Sequence, residues 1–491
     1  MIDRPDREET LTAALSAVTA VAGSFVAVGW SRQFVVAPVD QQIVNLTPGP
    51  IVTFMIENVG EAGHLVHIGL ALGAVVGLFG LVSLAGVRLG TRTERPLVGG
   101  LAAGVGVWLL SAALTREPLL ALAPAGPMAV FTAVGGVQTA AGSVDRSRRR
   151  TLGTLAAALG FAGTAAVTGR LLHGDAPLDA APNAEGADER LSEAEANRLD
   201  TASDDLPGLV SDIDGFYNVD IAEFDPEVTS EEWSLTFTGD VGRELTVEFD
   251  DLIERDVENR FVTLRCVGED LNGKKLDTAV WTGTPLGPLL DAVDPQSDCD
   301  CAMLRGDDGY YVQFPTDVLR NGFLAWGMNG KELPQSHGHP VRVLIPGHWG
   351  ETNVKWLTEI ELLNTETDGY WEERGWEGTG EVKTVAKLWD EGITELDDGR
   401  IELAGHAYAG TRGISRVEVS TDGGDSWADA DLSDPLPDGD VWRQWRHTFD
   451  PDGSHDVVVR ATDGNGTLQT EEETSSSPDG AAGWVERTVT A

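Results

Sequence analysis

"LAWGMNGKELPQSHGHPVRVLIPGHWGETNVKWLTEIEL" runs from Leu324 to Leu362. Within it "HPVRVLIPG" reads as a strand, and "VKWLTEIELL", which continues to Leu363, reads as another. Outward from this stretch the same alternation recurs. "GYYVQFP" is a strand, "TPLGPLLDAV" a helix, and "RFVTLRC" an alternating strand that delivers Cys266 to its end. Further upstream "EWSLTFTGDVGRELTVEFDDL" alternates about a Gly/Asp turn, and "FDDLIERD" closes as a short helix. Short strands mixed with short helices predict an α+β domain over residues 209–380.

Cys266 is one of three cysteines, too few for a disulfide framework. Cys299 and Cys301, in "SDCDC", sit in a polar loop and read as incidental thiols. Cys266 admits three readings: a buried filler, an activated nucleophile or a metal ligand. Arg265 and Gly268 beside it predict an open, electropositive turn, which argues against filler. A nucleophile needs a nearby base and no local histidine supplies one; a soft thiolate ligand to a transition metal fits better.

From Lys383 onward short alternating strands are separated by "DGG", "PDG" and "DGNG". They predict an all-β immunoglobulin-like sandwich over 381–491, with Trp427, Trp442 and Trp445 as core. Residues 175–208 are rich in alanine, aspartate and glutamate, with no apolar period beyond one short helix, and read as an acidic tether.

Charge divides the chain unevenly. Of 79 acidic and 35 basic residues, 11 and 12 fall in Met1–Asp175, which leaves 68 and 23 for the remainder. A polyanion of that size argues against a nucleic-acid partner. Scattered carboxylates with only six lysines match a surface kept hydrated in concentrated salt, the expectation for a halophilic host. The nearly neutral third, residues 1–174, holds apolar segments at Leu11–Trp30, Gly63–Val87, Pro96–Leu114, Leu119–Ala141 and Thr151–Leu172. Each is long enough to cross a hydrocarbon core of about 30 Å, so a five-span helical membrane domain is expected. Pro124 and Pro127 interrupt the fourth. Arg88, Arg92 and Arg95 follow the second span, and Arg146, Arg148, Arg149 and Arg150 precede the fifth. By the positive-inside rule both loops are cytoplasmic, which puts everything after Leu172 outside a multi-pass cell-membrane protein. "SRRRTLGTLAAALGFAG", from Ser147, reads either as a cytoplasmic charge anchor or as an internal segment that resembles a twin-arginine export signal.

The stretch Leu324–Leu362 closely resembles the molybdenum-cofactor signature of the sulfite oxidase family. "FYNVDIAEFDPEV", Phe216–Val228, resembles that family's domain entrance, and "TLRCV" falls where the family carries its molybdenum-ligating cysteine. The resemblance covers roughly Phe216 to the C-terminus. It implies a molybdenum–molybdopterin cofactor, with a pterin dithiolene giving two sulfurs and Cys266 a third. His337, Arg342 and Lys355 match positions that grip the pterin and its phosphate. Phe216, Tyr217, Asn218 and Val219 fall in the segment that touches the pterin, and Gly347 and Gly350 would let backbone approach it. A cofactor assembled in the cytoplasm would favour export of a folded chain, and the C-terminal sandwich resembles the family's dimerisation domain, which implies a homodimer.

The resemblance further implies oxo transfer on a small molecule, sulfite among the candidates. Electrons would pass to a separate carrier, a small copper protein or cytochrome, or to a haem b ligated by His64, His67 or His173 in the spans. Trp376 falls at the substrate-pocket tyrosine, with Arg374 near it. The chain departs from sulfite oxidases where "FYNVD" lacks their arginine and "CVGEDLNG" puts Glu269, Asp270 and Leu271 where another stands. Carboxylates at the mouth would repel sulfite, so an S-oxide reductase is the alternative. A membrane receptor with a decayed site is a non-enzymatic one.

Overall fold

The computed structural model describes residues 5–140, 144–173 and 177–490. Two units divide the chain: Met1–Thr47, Val59–Pro177 and Ile221–Glu227 form one, and Pro48–Asn58, Leu178–Asp220 and Val228–Ala491 the other.

The first unit is built from α1 (Arg7–Val28), α2 (Ala37–Leu46), α4 (Gly63–Arg92), α5 (Pro96–Thr115), α6 (Leu122–Ala140) and α7 (Val144–Leu172); α3 (Gly49–Asn58) belongs to the second. Asp6 starts α1 with a capping box, its carboxylate accepting from the Glu9 N–H at 2.7 Å. Small residues let the helices meet. Gly86 faces Gly99 between α4 and α5, and Gly100 and Gly104 face Ala129 between α5 and α6. Ala17, Ala71, Phe79, Val107 and Met128 fill the core, and Phe224 stacks on Trp30 at 4.8 Å.

Among the described residues, four helical segments are long and apolar enough to cross a membrane: Arg7–Val28, Gly63–Arg92, Pro96–Thr115 and Leu155–Leu172. The fourth segment expected from the sequence departs from that pattern. Its apolar run is Leu122–Val137, shorter than the other four, with Pro127 inside the helix. The arginines at 146 and 148–150 fall on α7, but their side chains lie outside the described ones.

In the second unit the first ten strands are β1 (Ser234–Gly239), β2 (Leu245–Glu248), β3 (Glu258–Arg265), β4 (Leu276–Pro285), β5 (Cys301–Gly306), β6 (Tyr311–Pro315), β7 (Phe323–Met328), β8 (Lys331–Glu332), β9 (Arg342–Leu344) and β10 (Leu357–Leu363). They form one sheet in the order β2-β1-β10-β5-β6 and another in the order β3-β4-β7-β8, with β9 on β7. Only β1 and β10 pair in parallel within these two sheets.

Nine strands follow: β11 (Val385–Lys387), β12 (Ile393–Glu395), β13 (Ile401–Tyr408), β14 (Ile414–Ser420), β15 (Ala428–Asp429), β16 (Asp431–Leu432), β17 (Arg443–Phe449), β18 (Ser454–Asp463) and β19 (Val485–Thr490). They make two antiparallel sheets, β11-β13-β17-β16 with β12 on β13, and β15-β14-β18-β19. Leu403, Val417, Trp445 and Val457 share a core between them.

Two expectations need correction. Residues from Leu178 onward are packed rather than a tether. Ala187 and Ala194 of α8 (Ala187–Asn197), with Leu206 and Leu209, are buried in a cluster that includes Phe261 and Trp442. Trp326 and Trp442 donate from Nε1 to the carbonyls of Pro182 and Leu209, each at 2.9 Å. Most of this segment's acidic residues are exposed, while Ala181, Ala187, Ala194 and Leu206 are buried. Cys299 and Cys301 are joined in a disulfide rather than left as free thiols, with Cα atoms 5.2 Å apart.

Candidate functional site

β3 pairs with β4 to its last residue, Arg265 opposite Leu276, and Cys266 comes next. Its backbone N–H donates to the Lys275 carbonyl at 3.0 Å, which fixes the turn. The thiol is free, and burial pushes it up to about 11, Lys275 pulling it down and Glu269 raising it. Among the described residues no group of three or more His, Cys, Asp or Glu is placed to hold a metal. A metal at Cys266 would therefore need its other ligands from a cofactor.

The turn is not electropositive in the way its sequence promised. Arg265 is fully buried, its guanidinium 4.7 Å above the Trp349 ring. Nε bonds Glu269 Oε1 at 2.8 Å, and the other nitrogens donate to the carbonyls of Lys383 at 2.8 Å and Ala481 at 3.2 Å. Glu269 is not at the mouth either. It is 3% exposed and accepts from Lys387 Nζ at 2.6 Å and the Lys275 N–H at 3.0 Å. One carboxylate thus sits between two buried cations, and burial pushes Lys387 down to about 8. Asp270 remains exposed.

Tyr217 links this turn to a second cluster: burial and then the nearby Cys266 push its phenol up, and its hydroxyl lies against Gly350. Asp277 accepts from the Tyr217 N–H at 2.9 Å and from the Ser211 hydroxyl at 2.6 Å, pinning the entrance segment. Phe216 stacks on Tyr217 and meets Trp281 and His337 edge-on at 5.7 and 5.5 Å. Arg342, on β9, is 3% exposed and donates to the carbonyls of His337 at 3.1 Å and Asn353 at 2.9 Å. Lys355 donates to Asn218 Oδ1, to Asp220 at 3.0 Å and to the Ser336 carbonyl at 2.8 Å. All six of these predicted residues, Phe216, Tyr217, Asn218, His337, Arg342 and Lys355, therefore fall in one place.

That cluster fits an anionic group. Arg342 Nε is buried without a hydrogen-bond partner, and burial pushes the guanidinium down to about 10. Burial, then the charges of Lys355 and Arg342, push His337 down to about 3. A field that keeps a histidine neutral and leaves a buried guanidinium nitrogen open matches a phosphate-bearing pterin.

Trp376 is 2% exposed, with an unpartnered Nε1, and packs edge-on to Trp371 at 6.3 Å. Arg374 stacks over Tyr370 at 3.6 Å and donates to its carbonyl at 2.7 Å. Sequence reasoning missed Glu351 and Glu372. Their carboxyl oxygens are buried without partners, and burial together with Glu372 pushes Glu351 up to about 8. Glu351 lies inside the signature stretch, but nothing in the sequence pairs it with Glu372. Of the proposed haem ligands, His67 bonds Asp40 at 2.7 Å and His173 the Val26 carbonyl at 3.2 Å.

Residues 222–371 match the oxidoreductase molybdopterin binding domain and 381–477 the Mo-co oxidoreductase dimerisation domain. The nitrate reductase [NADPH] of Beauveria bassiana is 28% identical over 318 residues, 48% of this chain and 35% of that protein. The mitochondrial sulfite oxidase of Mus musculus is 28% identical over 254 residues, 42% of this chain and 46% of that protein. The chain thus spans a third to a half of the length of these relatives. The sulfane dehydrogenase SoxCD structure from Paracoccus pantotrophus overlaps 61% of this chain and 90% of its own, at 18% identity and a TM-score of 0.49. With both domain matches and these relatives, the chain belongs to the sulfite oxidase-like family of molybdopterin-dependent oxidoreductases.

Proposed function

We propose that this enzyme transfers oxygen to or from sulfur, held to a membrane by its N-terminal helices with the catalytic unit on the extracytoplasmic side. The molybdenum cofactor, when bound, supplies the two-electron change that oxo transfer needs. The protein's part is to ligate through Cys266, to hold the pterin phosphate with Arg342 and Lys355, and to shape the chamber with Trp376. Arg374 stands near as a further cation. Oxidising sulfite takes oxygen from water and releases two protons and two electrons; reducing an S-oxide consumes the same and releases water. Electrons pass one at a time through a separate carrier, and the C-terminal domain pairs two copies.

The observation that carries this reading is the buried Arg342, open at Nε, beside a segment that reaches the free Cys266 thiol. Retention of Cys266, Arg342 and Lys355 together argues against a receptor with a decayed site. Of the two substrates, the inward turn of Arg265 favours the S-oxide, because it withdraws a cation that a dianion would use. The test is metal analysis of the protein matured and purified in high salt, with steady-state assays on sulfite and on a sulfoxide. One molybdenum per chain and turnover of either substrate is expected; a matured chain without molybdenum refutes it.

A further inference from the structure

Helix α3 comes from the short stretch between two long apolar helices, yet it packs within the second unit. Its first residue, Gly49, lies against the Arg374 backbone: a Cβ there would stand 2.9 Å from the Arg374 carbonyl oxygen. Two turns later Ile56 reaches the Cys266 turn. A Cβ on Gly268 would lie 3.4 Å from Ile56 Cγ2, 3.6 Å from Trp376 Cη2 and 4.0 Å from Cys266 Sγ. Three side chains from distant parts of the chain thus close on the space where a Gly268 side chain would stand. Ile56 also packs on the buried cluster that holds Val267, Trp349 and Trp376, with Trp371 at its edge.

The atoms that Ile56 and Trp376 present at this point are apolar carbons. Arg265 is committed to Glu269, and the Arg374 guanidinium stacks on Tyr370 with its Nε unpartnered. A sulfite dianion brought against an isoleucine and an indole ring would lose hydration without a partner, whereas an alkyl or aryl group would gain by burial there.

We infer that Ile56, together with Trp376, forms an apolar wall of the substrate chamber and selects a neutral substrate carrying an apolar group over an inorganic oxyanion. The inference rests on the oxo-transfer reading and names the substrate class within it. Two measurements on the full chain test it. In molybdenum-loaded protein, kcat/KM is determined for sulfite oxidation and for reduction of methyl phenyl sulfoxide, in wild type, Ile56→Ala and Ile56→Arg. The sulfoxide-to-sulfite ratio is expected to fall about tenfold or more in both variants, the scale set by removing or disrupting methylene contacts in an apolar pocket. In cofactor-free protein, alkylation of Cys266 by a neutral reagent, followed by peptide mass, is expected to quicken in Ile56→Ala. A ratio within about twofold of wild type, in variants that retain molybdenum, together with unchanged alkylation, overturns the wall. Wild-type protein with full molybdenum and no turnover of either substrate overturns the oxo-transfer reading instead, and the alkylation result still judges the wall.

Discussion

Glu269→Gln is the most informative single change. The native carboxylate is 3% exposed and sits 2.8 Å from Arg265 Nε and 2.6 Å from Lys387 Nζ. Glutamine keeps the shape but removes the charge, leaving two buried cations. Breaking a buried pair from one side costs about 3–5 kcal/mol. Part of that is recoverable, because Lys387 already stands at about 8 and, without Glu269, would sink further and go neutral near pH 7. Arg265 has no such escape. A loss of about 3 kcal/mol at pH 7 is therefore expected, read from denaturant unfolding of the full chain by tryptophan fluorescence.

The pH dependence gives a second handle on the same site. Lys387 titrates lower in the folded chain, about 8, than its ordinary 10.5, so the unfolded chain binds more protons between those values. Its contribution to stability rises with pH across that window. At high pH the lysine is neutral in both proteins, so the gap between wild type and Glu269→Gln should narrow from pH 7 to 10. A loss under about 1 kcal/mol at pH 7, or a gap that widens with pH, would refute the buried three-charge cluster. Adding Lys387→Met to Glu269→Gln should restore part of the loss.

Three further outcomes are expected. Cys266→Ser replaces a soft ligand by a hard hydroxyl, and should lower bound molybdenum and abolish redox turnover; full turnover with an unchanged metal absorption spectrum would sink the ligation. Arg342→Met removes the buried cation that stands 5.3 Å over the Trp281 ring, so molybdenum per chain should fall. Asp277 is pushed up by burial to about 6 from 3.8, so the folded state holds its proton where the unfolded state has lost it. Stability from this carboxyl is present below pH 4 and is lost as pH rises to 6. Asp277→Asn should remove that slope, and an unchanged slope in pH-dependent unfolding would show that Asp277 is not the group responsible.

Two strands were legible because their pattern is a local signal: "RFVTLRC" gives β3 and "VKWLTEIELL" gives β10. The grouping of Phe216, Tyr217, Asn218, His337, Arg342 and Lys355 was legible from resemblance, and the packing brings all six together. Side-chain direction was not. Arg265 and Glu269 looked like a charged surface turn, but Lys387, which draws Glu269 inward, lies 118 residues away. The segment after Leu178 looked solvated because its charges outnumber the few alanines and leucines that anchor it. Nor did the ten-residue, mostly apolar stretch Gly49–Asn58 signal anything: too short to span a membrane, it acquires meaning only from Gly268, which has no side chain to keep Ile56 away.

The second unit's borrowing of α3 bears on any attempt to simplify this protein. Clipping the chain ahead of Leu178 to free a soluble catalyst would discard more than the greasy helices. The remnant would keep its cysteine and its phosphate grip but expose the flank of its reaction centre to water. Its preferences would then describe a trimmed enzyme, more tolerant of salts and less fond of oily molecules than its parent.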